Sequence, residues 1–128
     1  MTNKLFIDDV RKPPDTSWHV SRTNTEAIAA LRAPVGWTVI SIDHDIVAPG
    51  AQDGAIIETF MPVIWYLQVC EADYSDVVVI CHSFNDVARP VMVRKLAAFK
   101  TVIDARIGSK PYYAALREWC PMTLTDKQ

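Results

Sequence analysis

Three short stretches of the 128-residue chain carry acids, imidazoles and small polar groups in close order: Asp8 and Asp9; Asp43, His44 and Asp45; and His82, Ser83 and Asn85. Clustered carboxylates repel one another, so they persist where a cation or a proton offsets their charge. Oxygen donors favour magnesium or manganese, and histidine nitrogen widens the choice to zinc or iron. Imidazole also exchanges protons near neutral pH. A divalent ion held beside two histidines would suit attack on a phosphoryl group, with the ion polarising an oxygen while the imidazoles move protons. Taken singly, Asp, Ser and Asn are ordinary turn formers and helix caps, and a lone histidine is more often packed than catalytic. Arg11 and Arg89 would serve as counter-charges, or as plain surface.

These residues act together only if the fold brings them to one place. Five segments read as strands, being short, rich in β-branched or aromatic residues and bounded by turn or charged residues: 4–8, 18–22, 37–43, 76–82 and 101–107. The third, with Val39, Ile40 and Ile42, and the fourth, with Val77, Val78, Val79 and Ile80, are nearly continuous apolar runs. Such runs belong in the middle of a parallel sheet covered on both faces.

Helical patterns fill the gaps. Thr23 and Glu26 have the spacing of a capping box ahead of Ala27, Ile28 and Leu31. From Asp53 on, Ile56, Ile57, Phe60, Ile64 and Leu67 keep helical spacing, with Pro62 expected to kink or divide the helix. Asn85 or Asp86 caps a third helix carrying Pro90 in its first turn, and Ser109 precedes a fourth with Tyr112, Leu116 and Trp119 on one side. Strands alternating with helices predict an open, parallel α/β sheet. The stretch 9–17, with Pro13 and Pro14, is too short for a full crossover helix, so a loop is expected there.

In such a sheet, ligands bind beyond the carboxyl ends of the strands, near the point where strand order reverses. All three polar clusters follow predicted strands, so they should share one rim. Ser83, Asn85 and free N–H groups at the start of the third helix are expected to bind phosphate oxygens.

Composition sets outer bounds. With 13 Lys plus Arg against 15 Asp plus Glu, a net charge of -2 and half its residues hydrophobic, the chain reads as one domain over 1–128 that can bury a full core. No basic run suits duplex DNA, although a nucleotide or strand end remains compatible. Cys70, Cys81 and Cys120 are odd in number and lack Cys-x-x-Cys spacing, which suits buried thiols in a reduced cytoplasm. The most apolar stretch, 61–70, is too short to span a membrane, and neither export nor membrane insertion is expected.

LFIDD at 5–9 with Arg11, Pro13 and Pro14 after it, SIDHDI at 41–46, and HSFN at 82–85 with Met92 beyond, together resemble the cyclic-phosphate processing receiver domains over about residues 4 to 97. That resemblance implies a three-layer, receiver-like, flavodoxin-like fold with strand order 2-1-3-4-5. It also implies a role in hydrolysing or otherwise processing cyclic phosphates, RNA ends included. The family's residues fall on Asp8, Asp9, Arg11, Asp43, His44, Asp45, His82, Ser83 and Asn85, while Ile46, Asp86 and Ala88 stand where the pattern usually has Leu, Pro and Gly. Phosphoacceptor receivers offer a second overlay, through Asp8, Asp9, Asp43, Ser83, and Lys110 with Pro111.

The leading expectation is a metal-dependent phosphodiesterase acting on a cyclic nucleotide or an RNA 3′-end cyclic phosphate. Asp8, Asp9 and Asp43 hold magnesium or manganese, His44, His82 and Asp45 are catalytic, and Ser83, Asn85, Arg11 and Arg89 bind substrate. The runner-up is a non-enzymatic receiver-like module that binds a nucleotide or is phosphorylated on Asp43. A small protein-interaction domain on the same fold is the third reading.

Overall fold

The structure, a computed structural model, describes residues 3–47 and 56–120. In chain order its elements are β1 (Lys4–Ile7), β2 (His19–Ser21), α1 (Asn24–Arg32), β3 (Val39–Ile42), β4 (Asp45–Val47), β5 (Ile56–Thr59), α2 (Met61–Val69), α3 (Glu71–Tyr74), β6 (Val78–Cys81), α4 (Ala88–Lys95), β7 (Thr101–Asp104) and α5 (Lys110–Trp119). Strands β2, β1, β3, β6 and β7 pair in that order, all parallel. Counted without the β4–β5 hairpin, this is the expected order 2-1-3-4-5. Each strand is shorter than the segment expected from the sequence, and just past the ends of β1, β3 and β6 the N–H groups of Asp8, Asp43 and His82 still bond the carbonyls of Ser21, Ile7 and Ile42 on the neighbouring strands.

Strand side chains alternate between faces. Leu5, Ile7, Ile40, Ile42, Val79 and Cys81 point to one face, where α1, α2 and α4 cover them with Leu31, Val63, Ile64, Leu67, Met92 and Leu96. Phe6, Val39, Val78 and Ile80 point to the other, under Tyr112 and Ala115 of α5. The result is three layers, with α5 alone on its face among the described residues. The stretch 9–17 forms no helix, as its length and prolines required, so the crossover helix that would lie beside α5 is missing.

Two helix starts follow their capping signals. Thr23 Oγ1 accepts from Glu26 N at 3.1 Å, and Ser109 Oγ accepts from Tyr112 N at 3.3 Å. Gly108, at φ +84°, turns the chain from the end of β7 into α5.

The helix expected from Asp53 is corrected. Ile56–Thr59 is a strand, paired antiparallel with Asp45–Val47, and the helix begins only at Met61. Pro62 does not kink it but lies in its first turn, where a missing N–H costs no bond. Residues 53–55 lie outside the described part of the chain. Among the described residues no helix is long and apolar enough to cross a membrane, Cys81 and Cys120 are buried, and Cys70 is half-buried.

Candidate functional site

The alternation that builds the core also builds the site. On the α5 face, Phe6 is followed two residues on by Asp8, Val39 by Ser41 and Asp43, and Ile80 by His82. Since β1, β3 and β6 are neighbours in register, these polar side chains converge at the carboxyl end of the three central strands.

His82 lies at the bottom. Its residue is 0% exposed, its ring stacks on Phe6 with centroids 4.9 Å apart and planes 9° apart, and Tyr112 meets it edge-on. Both ring nitrogens are engaged, Nε2 with Asp8 Oδ2 at 2.9 Å and Nδ1 with Ser41 Oγ at 2.6 Å. Ser41 Oγ also lies 2.9 Å from the Tyr112 hydroxyl. An ionised Asp8 only accepts, so the ring donates to it from Nε2, while Nδ1 and the Tyr112 hydroxyl share Ser41 Oγ as their partner. Every polar atom of this buried relay is satisfied.

Asp8 and Asp43 lie one layer above. Asp8 Oδ1 takes the N–H groups of Val10 at 3.0 Å and Arg11 at 2.9 Å, so the chain turns sharply after β1. Asp43 Oδ1 takes the N–H of His44 at 2.7 Å. The two remaining oxygens meet one cation: Arg11 Nη1 is 3.5 Å from Asp8 Oδ2 and 3.3 Å from Asp43 Oδ2. Arg22 fixes that loop by donating from Nη1 to the carbonyls of Asp8 at 3.0 Å and Arg11 at 2.5 Å. Ligand atoms of Asp8, Asp43 and His82 all lie within 4.8 Å of one another, a buried group that could hold a metal ion.

A third layer comes from the hairpin. His44 Nδ1 lies 2.6 Å from Asp45 Oδ1, and Asn85 Nδ2 donates to Asp45 Oδ2 at 3.3 Å. Asp9 Oδ2 accepts from Val47 N at 2.9 Å, tying the β1 loop to β4. Over these layers opens a cavity of about 170 Å³ lined by Asp9, Arg11, Asp43, Asp45, Ser83 and Phe84, among others. Neither histidine lines it.

A family model described as the cyclic-phosphate processing receiver domain matches residues 3–98. The chain belongs to this family. Neither the curated proteins nor the solved structures that were searched contain a match to it. The receiver-domain match ends before β7 and α5, so Tyr112, which closes the relay under His82, is supplied from beyond the matched stretch.

Within this receiver domain several expectations need revision. His82, expected to be a catalytic acid or base, is wholly buried with both ring nitrogens engaged and does not line the cavity. Arg89, offered as a substrate ligand, is held by Asp104 and Asp86, each at 2.6 Å, and does not line the cavity. The N–H groups at the start of α4 are not free, since Asn85 Oδ1 accepts from Val87 N at 3.1 Å and Ala88 N at 2.9 Å. Lys110 is exposed at the first position of α5, past Gly108 and Ser109 rather than at the end of β7. Ala88, where the family usually has glycine, carries no backbone strain, because no non-glycine residue among those described has positive φ. Ser41 and Tyr112 were missed; a lone serine inside the apolar run 39–42 was the available signal.

Burial alone would raise the pKa of Asp8, but the His82 hydrogen bond and charge and the N–H groups of Arg11 and Val10 hold it at about 2. Asp43 is pushed up, first by burial and then by the charge of Asp8, against the pull of His82, His44 N–H and Ser83. An acid whose folded pKa is depressed stabilises the fold above its free value and loses that contribution as pH falls. Between the ordinary 3.8 and about 2, Asp8 should therefore give up about 2 kcal/mol. Urea midpoints measured from pH 5 down to pH 2.5 should show this loss in the parent and not in Asp8→Asn.

Proposed function

We propose that this receiver domain is a divalent-metal-dependent phosphodiesterase that hydrolyses a cyclic phosphate, on a nucleotide or at an RNA 3′ end, in the cavity above Asp8 and Asp43. The observation that carries this reading is the convergence of Asp8 Oδ2 and Asp43 Oδ2 on a single cationic group at the floor of that cavity. Four carboxylates, Asp8, Asp9, Asp43 and Asp45, gather there with Arg11 as their cation, so an anionic phosphate needs further positive charge to approach. Membership of the cyclic-phosphate processing family supports the choice of substrate.

The donors suit magnesium or manganese, because both His82 nitrogens are already engaged and the buried group is left with carboxylate oxygens to offer. Asp8 and Asp43 would hold the ion, and when bound it supplies Lewis-acid charge to a phosphoryl oxygen. Arg11 then faces the substrate's other oxygens. Asp45, oriented by His44 and Asn85, is the carboxylate placed to take a proton from the attacking water. Water adds to phosphorus, the bond from phosphorus to one ring oxygen breaks, and the proton passes through the Asp45–His44 pair to the departing oxygen. The products are a phosphate monoester and a free hydroxyl. His82 sits beneath the site and acts through Asp8, which it holds ionised and oriented.

Turnover of 2′,3′-cyclic and 3′,5′-cyclic nucleotides, followed with magnesium or manganese and again after exhaustive chelation, tests this reading. Hydrolysis that stops on chelation supports it, and hydrolysis undiminished by chelation removes the metal. His44→Ala should lower turnover by about 10²-fold and flatten one limb of the pH profile, the usual scale for a lost proton-transfer group.

A further inference from the structure

Next to the acidic cavity, and sharing Arg11 and Phe84 with it, lies a second cavity of about 350 Å³. It opens where the absent crossover helix leaves α5 uncovered, between the loop bearing Lys12 and Pro14 and the helix residues Tyr112 and Tyr113. Phe84 forms the wall between the two. It is 54% exposed and belongs to neither buried core cluster, so packing does not account for its size. Two guanidinium groups lie against its ring, Arg11 at 4.3 Å and Arg106 at 5.3 Å from the centroid.

An exposed aromatic ring with guanidinium groups over it makes a joint aromatic and cationic surface against which a purine or pyrimidine stacks. Its position matters as much as its chemistry. A ligand whose phosphate occupies the first cavity and whose next group passes Phe84 enters the second, and in a nucleoside phosphate that group is the ribose with its base. Lys12 and Arg11 keep this route positive beside the acidic floor.

We propose that the second cavity is a nucleobase site with Phe84 as its stacking platform, so that the domain selects nucleoside phosphates over phosphates lacking a base. This inference rests on the placement of the phosphate in the first cavity under the hydrolase reading.

The test compares the affinities of cytidine 3′-monophosphate and ribose 3-phosphate for the full chain, by titration calorimetry, in the parent, Phe84→Ala and Phe84→Tyr. In the parent the nucleotide should bind about tenfold tighter than the sugar phosphate, within the usual range for one base stacked on one aromatic ring. That ratio should fall toward one in Phe84→Ala and persist in Phe84→Tyr. Equal affinities in the parent, no saturable nucleotide binding, or an undiminished ratio in Phe84→Ala would each overturn the base site. Cyclic-nucleotide turnover is read separately. A base preference without turnover removes the hydrolase and keeps the base site, whereas turnover without a base preference does the reverse.

Discussion

Replacing His82 by alanine is expected to cost roughly 3–5 kcal/mol of folding stability, the scale of stripping a buried carboxylate of its closest partner together with losing a buried ring. The ring fills the space between Phe6 and Tyr112, so its loss leaves a cavity. It also leaves Asp8 Oδ2 buried beside Asp43 with its closest partner gone, and Ser41 without an acceptor on that side. Urea denaturation at pH 7 measures this, with His82→Gln as a milder comparison that keeps one polar contact. A loss under about 1 kcal/mol would show that the ring does not hold the site together.

The second large effect is expected at Asp43. Asp43→Asn removes one of the two carboxylates that meet the shared cation, so turnover should fall by about 10³-fold or more and manganese affinity by at least about tenfold. Stability should move the other way. Because burial and the neighbouring Asp8 charge raise its pKa, an ionised Asp43 opposes folding at neutral pH, and a neutral amide of the same shape relieves that repulsion. A variant more resistant to urea at pH 7, yet deficient in manganese binding and turnover, would carry the signature of a site strained for function. Manganese titration and urea midpoints on the same preparation measure both changes.

Much of this arrangement was legible in the sequence, for reasons that particular residues show. Val39, Ile40 and Ile42 are followed by Asp43, and Val78 to Ile80 by Cys81 and His82, so an apolar run ending in a polar cluster marks both the strand and its polar rim. Once strand order follows from the crossover pattern, Asp8, Asp43 and His82 must share an edge. The depth of His82 was less legible. It depends on Tyr112, thirty residues further along the chain, reaching Ser41 from the helix that covers the same face of the sheet. Parity offered a partial signal, since His82, Ile80 and Val78 share one face, and Ser41 interrupts the apolar strand beside it.

The β4–β5 hairpin was misread because Ile56, Phe60, Ile64 and Leu67 satisfy a helical period equally well. Pairing with Asp45–Val47 decides the matter, and no local pattern carries that long-range contact. Arg89 was misplaced for a similar reason: its partners come from two separate places, Asp86 in the loop before α4 and Asp104 at the end of β7. Phe84 lay in plain view within HSFN, but only its exposure and the two guanidinium groups against it separate it from an ordinary core aromatic.

The most direct measurement is the mass of the nucleotide recovered after incubating the protein with a 2′,3′-cyclic nucleotide and manganese in oxygen-18 water. Hydrolysis at the Asp8–Asp43 rim places one heavy oxygen in the phosphate of every monoester formed, and formation stops on chelation or in Asp43→Asn. Recovery of the cyclic nucleotide intact, with acetyl phosphate instead adding a phosphoryl group to Asp43, would contradict the hydrolase and make the domain a phosphoacceptor.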